Sequence, residues 1–171
     1  MDTQAIFGLQ FILSVIVISL VAKWVFAPWL AKQAQGDALF WLTLPHAFRH
    51  IGMVFLVPNV LAQPLPAAFA IPAAYGDLLA GVLALLALIA LKNKWSGAIL
   101  AVWLFNIVGT IDLLNALRHV DVAANFGAAW YIPTFLVPLL LVTHFMIFTR
   151  LLKPAVNQRD AGKEMTSVTN S

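Results

Sequence analysis

ALFWLTLPHAFRHIGMVFLVPNVLA, residues 38–62, is the stretch on which the fold turns. It is apolar enough for a membrane span, yet it holds Pro45, His46, Arg49, His50 and Pro58. If residues 46–50 marked the membrane edge, too few apolar residues would remain before the break Gln63-Pro64-Leu65-Pro66, because a spanning helix needs roughly 20. The polar group is therefore expected inside the span. A re-entrant or interfacial segment is the competing reading, and the choice decides between five spans and four.

Four further apolar runs surround this one, at about 6–27, 71–91, 95–117 and 128–152. The first is expected to be retained and not to be a signal peptide. Its leading residues carry Asp2 and no Lys or Arg, the basic Lys23 and Lys32 come late, and no small-residue cleavage site follows. It reads as a retained helix ended by Pro28. Pro72 suits the start of the third helix. Lys92-Asn93-Lys94 makes a tight turn, so the third and fourth helices should form an antiparallel hairpin. The third helix is Leu and Ala all round over 78–91 and is expected to face lipid or another subunit. Residues 1–153 thus read as one domain, and 154–171 as a polar, disordered tail.

Composition agrees. Of 171 residues, 62% are hydrophobic and 10% charged, against about a quarter charged in soluble domains. Mean hydropathy is +0.91. A soluble enzyme and a nucleic-acid module are excluded, although the pI is about 9.5. The basic residues instead mark topology. Lys23, Lys32, Lys92, Lys94, Arg150, Lys153, Arg159 and Lys163 fall on one side of a five-span chain, and Arg118 alone falls on the other. By the positive-inside rule the N-terminus is outside and the C-terminus cytoplasmic. A bacterial inner membrane is the expected location. Trp24, Trp29, Trp41 and Trp95 then lie at the inner interface, and Tyr75, Trp130 and Tyr131 at the outer one. The fold class is an all-α, polytopic membrane protein with five transmembrane helices in one bundle. Phe55-Leu56-Val57-Pro58 recurs as Phe135-Leu136-Val137-Pro138, a match too short to establish an inverted repeat.

An ionisable group in hydrocarbon needs a partner, a cavity or a purpose, because it costs roughly 2.5–3.5 kcal/mol on insertion scales. On an α-helix, His46, Arg49 and His50 share one face, continued by Met53. Asp112, Asn115 and His119 form a stripe on the fourth helix, with Asn106, Gly109 and Thr110 on a different side. At about 1.5 Å per residue, Arg49 and His50 lie near the midplane, Gln10, Ser14, Asp77, Asp112 and Asn115 in the outer half, and His46 and His144 at matching depths in the inner half. Two aspartates near one arginine suggest a polar cavity in the outer half. Its candidate ligand-binding or proton-pathway residues are His46, Arg49, His50, Asp77, Asp112 and Asn115.

The chemistry open to the chain is narrow. With no cysteine, disulfides, iron–sulfur clusters and thiol nucleophiles are excluded. The single glutamate, Glu164, lies in the tail. The pattern H-x-x-R-H has no Glu beside its first His, and Arg49 would oppose a dication, so no metal site is expected. The same arginine suits an anionic group such as a haem propionate, a quinone oxygen or a lipid phosphate. No G-x-S-x-G elbow or Gly-rich phosphate loop occurs, and no catalytic residue is assigned. Three functions follow as expectations. The first is a pocket that binds or conducts a small or lipid-like ligand or protons. The second is a haem- or quinone-binding oxidoreductase using His46, His50 and His144. The third is a non-catalytic accessory subunit. The expected partners are the bilayer, with a homo-oligomer or larger membrane complex, and no nucleic acid.

Overall fold

A computed structural model describes residues 1–152; the expected disordered tail, 154–171, lies outside the described residues. The described chain is all helix, in five long helices joined by short connections. Helix α1 spans Thr3–Ala31, α3 Ala67–Lys92, α4 Ala98–Ala116 and α5 Gly127–Leu152, and these four are long and apolar enough to cross a membrane. Helix α2 has two parts, an α-helical Gln35–Thr43 and a 3₁₀ continuation, Leu44–Leu56. A short 3₁₀ helix, Val120–Asn125, joins α4 to α5.

Prolines shape these helices without ending them. Pro28 does not stop α1. A π turn over Ala22–Phe26 precedes it, with Ala27 N–H bonded to the Ala22 carbonyl five residues back. The widened turn relieves the clash between a proline ring and the preceding turn. Pro138 in α5 follows a π turn over Ile132–Leu136 in the same way. Pro72 lies inside α3, which begins a full turn earlier than expected, at Ala67. The repeated Phe-Leu-Val-Pro takes two conformations, ending a 3₁₀ helix at Leu56 and closing a π turn at Leu136.

Contrary to expectation, α3 is the centre of the bundle. Its Ala73, Ala74, Ala80, Gly81, Ala84, Ala87 and Ala90 are buried, while Leu79, Leu85, Leu86 and Ile89 point outward. Small residues let neighbouring backbones approach, and α2 and α4 pack along that face. Gly52 of α2 lies against the Asp77 side chain, and Gly76 of α3 against that of Asp112. The α3–α4 pair is the expected hairpin, turning through Asn93 and Lys94, the latter at φ 53°. The helix most exposed to its surroundings is α1, with only 11% of its apolar window buried.

Two apolar clusters hold the bundle. Phe7, Phe55, Phe69, Phe126 and Ile132 pack at the end where α1 begins. Leu30, Leu39, Leu42, Val102, Phe105 and Ile147 pack at the far end. The connection after α2 is pinned beside the first cluster by Ala62 N–H to Asn125 O and Asn125 Nδ2 to Pro64 O, both 3.0 Å. Gly127 follows at φ 49°, where an added Cβ would meet Ala62 backbone. No other residue fits both that conformation and that approach. Arg49 and its partners belong to neither apolar cluster.

Candidate functional site

The 3₁₀ geometry of Leu44–Leu56 decides which side chains meet. Three residues per turn put positions i, i+3, i+6 and i+9 above one another, and the buried residues of this segment are His46, Arg49, Gly52 and Phe55. His50, four residues from His46, is turned away by about a third of a turn. It is exposed, with Nδ1 3.0 Å from the Ala47 carbonyl. The shared face expected for His46, Arg49 and His50 is therefore corrected. It assumed 3.6 residues per turn.

Arg49 is buried to 1% exposure and every guanidinium nitrogen has a partner. Nε donates to Asp77 Oδ1 at 2.8 Å, and Nη2 donates to Asp112 Oδ2 at 2.5 Å. Nη1 donates to the Gly109 carbonyl at 3.0 Å and faces His144 Nε2 at 3.4 Å. A guanidinium only donates, so Nε2 accepts. The proton of His144 then sits on Nδ1, which donates to Asn106 Oδ1 at 2.7 Å. Asn106 Nδ2 in turn donates to the His144 backbone carbonyl at 3.4 Å, so that one amide meets both the ring and the main chain of His144.

His46 continues the network toward the far end. Its ring lies 4.1 Å from that of His144 and 4.9 Å from that of Phe105, centre to centre. Its Nε2 is 2.9 Å from Thr143 Oγ1, which also reaches the Leu139 and Leu140 carbonyls. His46 Nδ1 and Thr43 Oγ1 are buried without a protein partner. One turn separates these two residues along α2.

The structure therefore brings together His46, Arg49, Asp77, Asp112 and His144 from four helices, and leaves out His50 and Asn115. Asn115 is exposed, and His119 meets Phe69 edge to face at the helix end, 5.6 Å between ring centres. Asp112 shares its face with Gly109 and Asn106 instead, on the buried side of α4. Thr143 escaped the sequence reading, and Asn106 and the Gly109 carbonyl, expected on a different side of α4 from Asp112, join it at the site. The available signal was the three-residue steps from Asn106 through Gly109 to Asp112, which extend the aspartate's stripe toward Asn106 rather than toward Asn115.

The cavity beside the cluster is small. About 50 Å³ lies above Asp77 and Asp112, walled by Phe7, Phe55, Phe69 and Phe126. A second crevice of about 10 Å³ reaches Asp112 past Asn115 and His119. The first volume admits a few waters but no lipid or cofactor. Axial ligation of haem does not fit His46 and His144 either. Their rings are in contact, leaving no plane between them for a macrocycle, and His144 has both nitrogens engaged. Among the described residues no group of three His, Cys, Asp or Glu side chains is disposed to hold a metal.

No curated protein and no solved structure matches the chain. Residues 6–152 match the family described as a domain of unknown function, DUF8737, and the chain belongs to that family.

Proposed function

We propose that the chain is a single-domain integral membrane protein of five spans, N-terminus outside, whose Arg49–Asp77–Asp112 cluster binds a proton from the outer side and passes it along His144 and His46. The charge count carries this reading. One guanidinium meets two carboxylates, and an excess negative charge inside a membrane needs a counter-charge. Water can supply it as a proton through the small cavity over both aspartates. Asp112 is the exchanging carboxyl, because of the two carboxylates it is the one that lines both crevices.

The five-span topology has two supports. A 3₁₀ helix rises about 2.0 Å per residue, so the two parts of α2 together reach roughly 40 Å, more than the roughly 30 Å hydrocarbon core. The described basic residues also segregate. Lys23, Lys32, Lys92, Lys94 and Arg150 lie toward one end of the bundle and Arg118 toward the other, which puts the first end in the cytoplasm.

Proton flux into proteoliposomes under an imposed pH gradient tests the function. We expect flux above empty vesicles, lost in Asp112→Asn and unchanged when choline replaces sodium. A purely structural ion triad is the second reading, favoured by the partner that each guanidinium nitrogen of Arg49 already has. Equal flux in wild type and Asp112→Asn would establish it instead.

A further inference from the structure

Away from the ion cluster, α1 splays from α5 over the half of its length nearest Ala31. The gap is a groove of about 670 Å³ between α1, the start of α2 and α5, lined by residues that include Val25, Trp29, Trp41, Val142 and Met146. We propose that it binds one anionic glycerophospholipid, with an acyl chain along α1 and α5 and the phosphate between Lys32 and Arg150.

Length, lining and charge each point to that occupant. The lining runs from Val17 to Leu30 on α1 and from Phe135 to Met146 on α5. That is roughly 17 Å of helix, about the hydrocarbon depth of one leaflet. The walls are bulky Val, Ile, Leu, Phe and Trp, with Ala22 and Thr143 the only small side chains besides Pro45. Closely packed transmembrane helices favour small residues at their contacts, so the surface suits a flexible chain better than a second helix. The Trp29 and Trp41 rings meet edge to face at 5.8 Å where the groove ends, as indoles do at headgroup level.

The basic residues stand just beyond. Lys32 follows Trp29 by three positions, and Arg150 follows Met146 by four on the same stripe of α5. The Arg150 carbonyl accepts from Gln35 Nε2 at 3.3 Å, tying this mouth to the start of α2. Asp37, in the first turn of α2, is offset by that helix's own N-terminal dipole. A basic mouth over an interhelical groove fits a phosphate headgroup.

Native mass spectrometry of the delipidated full chain, offered phosphatidylglycerol and phosphatidylcholine with the same acyl chains, tests the site. We expect one retained phosphatidylglycerol per chain, reduced about fivefold by Lys32→Gln and again by Arg150→Gln, with phosphatidylcholine unaffected. Val25→Trp, at a residue 60% exposed, should fill the groove and abolish retention while helix content stays unchanged. Equal retention of the two lipids, insensitivity to both charge substitutions, or retention surviving Val25→Trp would overturn the proposal. So would a dimer by light scattering that Val25→Trp dissociates, since the groove would then belong to a second copy.

Discussion

Arg49 owes its place to its partners, and they owe theirs to it. Burying a guanidinium is costly, and here two carboxylates, a carbonyl and an imidazole meet it. Removing one partner of a buried pair costs about 3–5 kcal/mol, because the other charge stays behind unpaired. Arg49→Ala leaves two aspartates facing each other, so we expect at least that loss in reversible unfolding from mixed micelles. His50→Ala, one residue along, should stay within about 0.5 kcal/mol of wild type, as exposed substitutions do. The contrast separates the 3₁₀ face from an α-helical one. Arg49, Asp77, Asp112 and the depth match of His46 with His144 were legible in the sequence, since ionisable groups in apolar runs must find one another. Asn106 and Thr143 were not. Amide and hydroxyl groups serve as ordinary interhelical glue too often for type alone to mark them.

At the scale of elements, the backbone form of Leu44–Leu56 is what the sequence concealed. Pro45 signals an irregularity but does not say which of several adjustments follows. The resulting change from 3.6 to 3.0 residues per turn reassigns His50 and retains Arg49. The chain has no cysteine, so single-cysteine scanning over 44–56 needs no prior substitutions. We expect labelling minima at 46, 49, 52 and 55. Minima at 46, 49, 50 and 53 would restore the α-helical face. The role of α3 was misread for a related reason. A run of Leu and Ala looks uniformly apolar, yet on a 3.6-residue period its Ala and Gly positions gather on one side, where α2 and α4 pack. Pro28 misled in the opposite direction, since a single π turn ahead of it carries the helix through, as another does ahead of Pro138.

Over the whole molecule, a polar layer lies between two apolar clusters and is crossed by four helices, while α1 flanks them along one side. The number of long helices among the described residues was legible because each apolar run is long and its breaks are polar. Packing order was not, because contacts between helices leave little trace in hydropathy. Whether α2 crosses the membrane sets the sidedness of everything after it. Ala34→Cys and Gln63→Cys, in the connections before and after α2, should react with an impermeant maleimide from opposite faces of the membrane. Reaction from the same face would make α2 re-entrant.

The site itself is tested most directly by infrared difference spectroscopy of the purified protein across a pH titration. We expect the carbonyl stretch of a protonated carboxyl to grow on acidification, and to be missing in Asp112→Asn while the helical amide bands are unchanged. Identical carboxyl spectra for wild type and Asp112→Asn, over the whole range in which the helices persist, would contradict proton binding at this cluster.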